Sequence, residues 1–205
     1  MYRVYGDSRS GNCYKVAWLM QELALPYEWV EVDILEGGTR HDTFLGMNPN
    51  GKIPLLDLGD GRFLAESNAI LGYLSENTPL LPVDRFHRAL VYQWLFFEQY
   101  SHEPYIATSR FIVQYLGSPA NRADELSAKQ EPGNKALKIM DSHLSTREFL
   151  TGDHFTIADI ALYAYTHVAD EGGFDLSLYP FVQAWLRRAE IRPGYLPMSA
   201  RTKTA

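Results

Sequence analysis

The sequence predicts a small mixed α/β unit followed by an all-helical unit, and three observations predict it. Short β-like runs with glycine punctuation fill the chain up to about residue 76, and long helical periodicity fills it after about residue 84. Between them, Asn77-Thr78-Pro79-Leu80-Leu81-Pro82 carries two prolines, which disfavour a continuing helix. Residues 1–77 are therefore assigned to a first domain, 78–84 to a linker and 85–205 to a helical domain.

Within the first domain, Tyr2 to Tyr5 reads as a strand, followed by the loop Gly6-Asp7-Ser8-Arg9-Ser10-Gly11. Cys13, Val16, Ala17, Met20, Leu23 and Ala24 recur at three- and four-residue steps, the spacing of an amphipathic helix, which Pro26 ends. Glu28 to Ile34 alternates and places Val30, Val32 and Ile34 on one face of a strand. A polar stretch, Glu36 to Thr43, leaves room for a further helix before Asn48-Pro49-Asn50-Gly51-Lys52-Ile53-Pro54. Two strands, Leu55 to Leu58 and Arg62 to Ala65, flank the hairpin signal Gly59-Asp60-Gly61. A helix over Ser67 to Glu76, burying Ala69, Ile70, Tyr73 and Leu74, closes the unit. A β-α-β start followed by a hairpin and a helix fits a mixed sheet with a right-handed first crossover and the hairpin at one edge.

In the second domain, Asp84 caps a helix that passes Tyr92, Leu95, Phe96 and Gln99, is interrupted or kinked at Pro104 and stops near Gly117. Ser118-Pro119 and Glu131-Pro132-Gly133-Asn134 bracket an ambiguous stretch before another helix around Leu137, Met140 and Leu144. Thr156 is an N-cap with Asp159 reaching back as in a capping box, and Phe155 and Ile160 stand in the positions of a hydrophobic staple. A last helix opens at Tyr179-Pro180 and stops before Arg192-Pro193-Gly194. The aromatic stretch Tyr92, Trp94, Phe96, Phe97, Tyr100 and Tyr105 reads as helical core before it reads as the lining of an apolar cleft.

Composition removes several function classes. With 19 Lys+Arg against 25 Asp+Glu the chain carries a formal charge of -6 and no basic cluster, which opposes binding to nucleic acid. A single cysteine closes no intrachain disulfide and builds no cysteine-based zinc site, and the first residues lack the apolar core of a secretory signal, so the expectation is a cytoplasmic protein. No apolar run approaches the ~20 residues of a membrane span. The six histidines fall in no zinc-binding spacing, and the phosphate-loop, dinucleotide and nucleophile-elbow motifs are absent.

Three features remain, each at a strand end or helix start of the small sheet. At Ser10-Gly11-Asn12-Cys13, free N–H groups of a helix start favour an anion, although Ser10 alone is also a good N-cap and Cys13 a small core residue. Pro54 is a candidate for a cis peptide in a tight turn, against the general preference for trans (cis is about 5% of such bonds in folded proteins), and that turn would leave the main chain of Ile53 to a peptide-like ligand. Glu66-Ser67 opens another helix, where Ser67 either caps or receives a carboxylate.

Taken in order and spacing, Ser10 to Val16, Asn48 to Pro54, Glu66-Ser67-Asn68-Ala69-Ile70 and Phe155 to Ala161 resemble the cytosolic-type glutathione S-transferase family. The resemblance is to bacterial-like members of the serine/cysteine type (theta-, beta- or nu-like) and not to the tyrosine type, since Tyr2 and Tyr5 lie in the first strand. It implies a thioredoxin-like N-terminal domain with a mixed four-stranded sheet that binds glutathione as cosubstrate. It also implies an all-helical C-terminal domain for a small, apolar electrophile, no metal, and a homodimer.

Position by position, the resemblance assigns Ser10 and Asn12 to the glutathione sulfur and the Ile53 main chain, beside cis Pro54, to the cysteinyl part. Glu66 and Ser67 would hold the γ-glutamyl end, and Lys52 with Arg40 or His41 would meet the glycyl carboxylate. Thr156 and Asp159 match the family's structural cap. Ser10-x-x-Cys13 stands where thioredoxin-like proteins carry C-x-x-C, with the nucleophilic cysteine replaced and Cys13 at the resolving position. The expected activity is detoxifying transfer of an electrophile to the glutathione thiolate. A glutathione-dependent disulfide or peroxide reductase and a noncatalytic ligand-binding protein of the same fold are the alternatives.

Overall fold

The computed structural model describes residues 1–203, which fall into two compact units, Met1–Glu76 together with the chain from Arg192 onward, and Asn77–Ile191. The first unit is built on a four-stranded sheet of order β2-β1-β3-β4, with β1 Tyr2–Gly6, β2 Tyr27–Glu31, β3 Leu55–Asp57 and β4 Phe63–Ala65. β1 pairs parallel with β2, as the intervening helix α1 (Gly11–Glu22) requires, while β1–β3 and β3–β4 are antiparallel.

Side-chain alternation divides the sheet into two apolar faces. On one, Val4 and Leu56 lie opposite each other and are fully buried, as are Val16, Ala17 and Met20 of α1 and Ile70 and Leu71 of α3 (Ser67–Leu74), which packs on α1. On the other, Leu55 joins Val32 and Phe44, with Tyr5, Ile53 and Ala65 packed around them, and α2 (Asp42–Met47) supplies Phe44. That short helix occupies the place left open in the sequence reading.

Two expectations for this unit are corrected. β2 ends at Glu31, short of Ile34, because Asp33 Oδ1 accepts from the N–H groups of Leu35 and Glu36 and turns the chain. The buried stripe of α3 is Ser67, Ile70, Leu71 and Leu74, so Ala69 and Tyr73 face outward. The chain from Arg192 onward also departs from its assignment to the helical domain. Arg192 pairs with Glu22, the Tyr14 hydroxyl donates to the Leu196 carbonyl at 2.6 Å, and Tyr195 meets Trp18 edge-on with centroids 5.4 Å apart.

In the second unit, Asp84 caps α4 (Arg85–Phe97) by accepting from the N–H groups of Phe86 and His87. The interruption expected at Pro104 takes the form of a widened π turn over residues 98–102, followed by α5 (Glu103–Arg110) with Pro104 in its first turn. A proline there has no N–H to return to the preceding turn, and the wider turn absorbs the mismatch. Of the aromatic stretch, Trp94 is core, whereas Tyr92, Phe96 and Tyr100 are exposed.

The break expected at Pro132-Gly133 does not occur, because α6 runs unbroken from Ala123 to Leu144. Asn134 Nδ2 donates to the Gln130 carbonyl at 2.8 Å beside the proline, and Gly133 is needed for packing, since a Cβ there would stand 2.4 Å from the Phe174 ring. α7 (Ile157–Thr166) is buried on every side. α8 (Pro180–Glu190) opens with Pro180, its first N–H groups received by Asp141 of α6.

The capping box at Thr156 is present, and Asp159 does more than close it. Its buried carboxylate accepts from Thr156 N and Oγ1, from Leu150 N at 3.0 Å and from Trp185 Nε1 at 2.9 Å, joining the start of α7 to α8 and to the turn before it. Burial pushes this carboxyl up to about 6 against the lowering pull of those donors. Asp159→Asn places an amide N–H among donors and should destabilise the fold by about 3 kcal/mol, against about 1 kcal/mol for Thr156→Ala, both read by denaturant unfolding. Equal losses would mean that Asp159 is only a cap.

His167, stacked on Tyr163, is held down to about 4 chiefly by burial and also by Arg110, against the raising pull of the Tyr163 carbonyl and Asp170. Between pH 6.5 and about 4 the unfolded chain therefore binds the imidazole proton that the folded chain refuses, and acidification costs stability. Asp159 acts oppositely, since its folded form takes up a proton first as pH falls through about 6. His167→Gln should flatten the fall of Tm on acidification below pH 6.5. An unchanged slope would place the acid sensitivity elsewhere.

Candidate functional site

The sheet register brings the sequence-predicted features to one end of the first unit. Tyr5 pairs with Leu55 and Leu55 with Ala65, so the chain leaving β1 toward Ser10, the chain entering β3 through Ile53-Pro54, and the chain leaving β4 into Glu66-Ser67 all lie at that end. Two of the three lead directly into helix N-termini, which present free N–H groups and a positive dipole end.

Asp7 organises the first loop. It is buried, its carboxylate accepts from Arg9 N at 2.8 Å and is gripped by the Arg9 guanidinium, and its carbonyl accepts from Ser10 N. Ser10 is the N-cap of α1, its Oγ accepting from Cys13 N at 3.4 Å. Capping uses a lone pair and leaves the hydroxyl proton to donate, so the capping bond does not conflict with a donor role for Ser10.

Asn12, in the first turn of α1, points its Oδ1 at two groups: Lys15 Nζ at 2.7 Å and Ser67 Oγ at 3.2 Å. Lys15 also reaches Ser67 Oγ at 3.3 Å and is fully enclosed. This triangle ties the start of α1 to the start of α3. Ser67 is the first residue of α3 and not its cap. The cap position is Glu66, whose φ of 67° is a left-handed conformation that an ordinary residue adopts only under constraint.

The Ile53–Pro54 peptide is cis. Asn48 secures the loop before it, donating from Nδ2 to the Lys52 carbonyl at 2.7 Å and accepting from Asn50 N, while its own carbonyl accepts from Gly51 N. Arg40 lies over Gly51, where a Cβ would stand 2.7 Å from its guanidinium, so Arg40 and exposed Lys52 bring two positive charges to one loop. His41 is exposed at the start of α2 and makes no capping bond.

Cys13 is not placed as a resolving thiol. It is fully buried against the sheet, where a Cβ on Gly6 would stand 2.7 Å from its Sγ and 2.8 Å from Trp29. Sequence reasoning missed Lys15, Asn48 and Asp7. For Lys15 the available signal was a lone cation inside the apolar run Cys13-Tyr14-Lys15-Val16-Ala17-Trp18. Among the described residues, no group of three or more His, Cys, Asp or Glu side chains is arranged to hold a metal, and no helix is long and apolar enough to cross a membrane.

A thioredoxin-like sheet with a cis proline and two helix N-termini at one end, followed in the chain by a helical unit, is the two-domain arrangement of glutathione-handling proteins. Residues 9–77 match the glutathione S-transferase N-terminal domain and residues 94–193 the C-terminal domain, and the chain belongs to the glutathione S-transferase family. It is similar to a crystal structure of glutathione S-transferase from Pseudomonas fluorescens (56% identity, 96% of this chain and 98% of that one, TM-score 0.95). Glutathione S-transferase 3 of Zea mays is 33% identical over 94% of this chain and 90% of its own, and the disulfide-bond oxidoreductase YfcG of Escherichia coli is 30% identical over 89% and 87%. The chain is thus an enzyme of this family, with an activity that depends on glutathione.

Sealed behind Gly6 and Trp29, the Cys13 thiol should react with an aromatic disulfide reagent only on unfolding, and Cys13→Ala should keep glutathione-dependent turnover within about twofold. Rapid labelling of the native enzyme together with loss of turnover would restore the cysteine to the chemistry.

Proposed function

We propose that this enzyme is a serine/cysteine-type glutathione transferase in which glutathione lies across the end of the sheet. The observation that carries the reading is the register that gathers Ser10, Ile53-Pro54 and Glu66-Ser67 at that end. In this reading the Ser10 hydroxyl and the Asn12 amide face the glutathione sulfur. The Ile53 main chain pairs with the cysteinyl part, Glu66 and the start of α3 at Ser67 hold the γ-glutamyl end, and Lys52 with Arg40 meets the glycyl carboxylate.

A free thiol with a pKa near 8.5 is mostly protonated at neutral pH, and the thiolate is the nucleophile. Two donors and the helix dipole aimed at the sulfur favour the anion, each unit of lowering corresponding to about 1.4 kcal/mol. The thiol proton leaves to solvent, the thiolate forms a bond to an electrophilic carbon, and the leaving group departs with its electron pair. Catalysis is electrostatic and positional, and the nucleophile belongs to the cosubstrate.

The likeness to a disulfide-bond oxidoreductase supports a second reading on the same site. There the thiolate attacks a disulfide sulfur, releasing one thiol, and a second glutathione resolves the mixed disulfide to oxidised glutathione. Buried Cys13 requires both electrons to come from glutathione. A homodimer also belongs to this proposal, and Phe63 and Tyr73 of the first unit and Phe96 and Tyr100 of the second are apolar surface that a second copy would cover.

Ser10→Ala and Asn12→Ala should each lower kcat/KM toward an activated aryl chloride at about pH 6.5 by roughly tenfold, with the loss shrinking as pH rises and the thiol ionises unaided. Turnover that survives both changes would overturn the assignment. Activity on hydroxyethyl disulfide without aryl transfer would select the reductase.

A further inference from the structure

Among the buried titratable side chains that the mechanism above leaves unused, Lys15 is the one bonded to Asn12. Lys15 sits on α1 one turn after Asn12, fully enclosed, with Nζ 2.7 Å from Asn12 Oδ1 and 3.3 Å from Ser67 Oγ. A lysine ammonium is a donor with no acceptor, so the amide atom facing it must be the oxygen, and the orientation of the Asn12 amide follows from chemistry. An amide oxygen has two lone pairs, and here one receives Lys15 and the other Ser67. The donor end of the amide, Nδ2, is consequently turned away from this pair. Ser67 has a single hydroxyl proton, directed at Asn12 Oδ1, and accepts from Lys15 with its lone pairs.

We infer that Lys15 is a positioning residue for the thiol-activating step: its Nζ holds the Asn12 amide with Nδ2 toward the glutathione sulfur and joins that amide to Ser67 at the γ-glutamyl end. The inference rests on the proposed placement of glutathione. A residue at this point acts through Asn12, and its removal takes away one of the bonds that set the orientation of the amide. Because Ser67 Oγ bonds the same oxygen, a ligand carboxylate that draws the Ser67 proton away leaves the Lys15 bond to Asn12 Oδ1 in place, and the amide stays set while glutathione is bound.

The test is the pKa of glutathione bound to the intact enzyme, read from the ultraviolet absorbance of the thiolate, in Lys15→Met, Asn12→Ala, the double variant and Ser67→Ala. Methionine keeps the unbranched stem and removes the donor. Lys15→Met should raise the bound thiol's pKa by about one unit and lower kcat/KM about tenfold below that pKa. Little of this should appear in kcat once pH exceeds it.

In the Asn12→Ala background the same change should add less than about twofold, since the amide it acts on is gone. Ser67→Ala should weaken glutathione binding and leave the pKa in place, because Lys15 still holds the amide; this arm decides the matter if Lys15→Met does not fold. A pKa that moves with Asn12→Ala but not with Lys15→Met, or that moves as far with Ser67→Ala as with Asn12→Ala, overturns the role of Lys15 alone. A pKa that Asn12→Ala leaves unmoved overturns the placement of glutathione, and this inference with it.

Discussion

The enclosed amino group of Lys15 is the contact that joins the openings of α1 and α3, on which the proposed site is built. A cationic side chain taken out of water must find oxygen acceptors, and in the first unit it finds them on the opening turns of two different helices, Asn12 Oδ1 and Ser67 Oγ. Two helix starts that belong to segments more than fifty residues apart are thereby given one relative position. Buried apolar residues of the same two helices, such as Val16, Ile70 and Leu71, could be exchanged for others of similar volume with modest loss. The polar triangle has no such latitude, since each member satisfies another.

The helical unit repeats the device with the opposite charge. Asp159 is a buried carboxylate whose oxygens accept from Leu150, Thr156 and Trp185, so the start of α7, the turn before it and α8 are ordered around one side chain. In both units a buried ionisable group specifies the geometry that hydrophobic burial by itself would leave loose. The difference lies in what the partners do. Those of Asp159 are structural, while those of Lys15 lie at the end of the sheet where we propose that glutathione binds.

Much of the fold was legible because its signals are local. Period-two runs marked the strands, Gly59-Asp60-Gly61 the hairpin, Asp84 and Thr156 the helix starts, and their positions in the structure agree to within a few residues. The misreadings occurred where a distant group overrode a local preference. Pro132-Gly133 reads as a helix stop, yet the Phe174 ring needs the absent Cβ and Asn134 binds the backbone beside the proline, so α6 continues. The residues after Arg192 follow a run of helices in sequence, but the partners of Arg192, Tyr195 and Leu196 are Glu22, Trp18 and Tyr14. Ser67 reads as a cap from its type, and the structure gives that position to Glu66 in a left-handed conformation.

The sequence by itself determined the two kinds of architecture, the order of the elements and the identity of the residues at the ends of the sheet, because backbone propensity, side-chain alternation and capping act over a few residues. Only the tertiary structure decided what those residues do to one another. Which way the Asn12 amide faces, and that Cys13 is core, depend on groups brought close by the β1–β3–β4 register and by the packing of α1 on α3. Hydrogen bonds and burial are properties of distances in space, and a one-dimensional pattern does not contain the distance from Lys15 to Ser67.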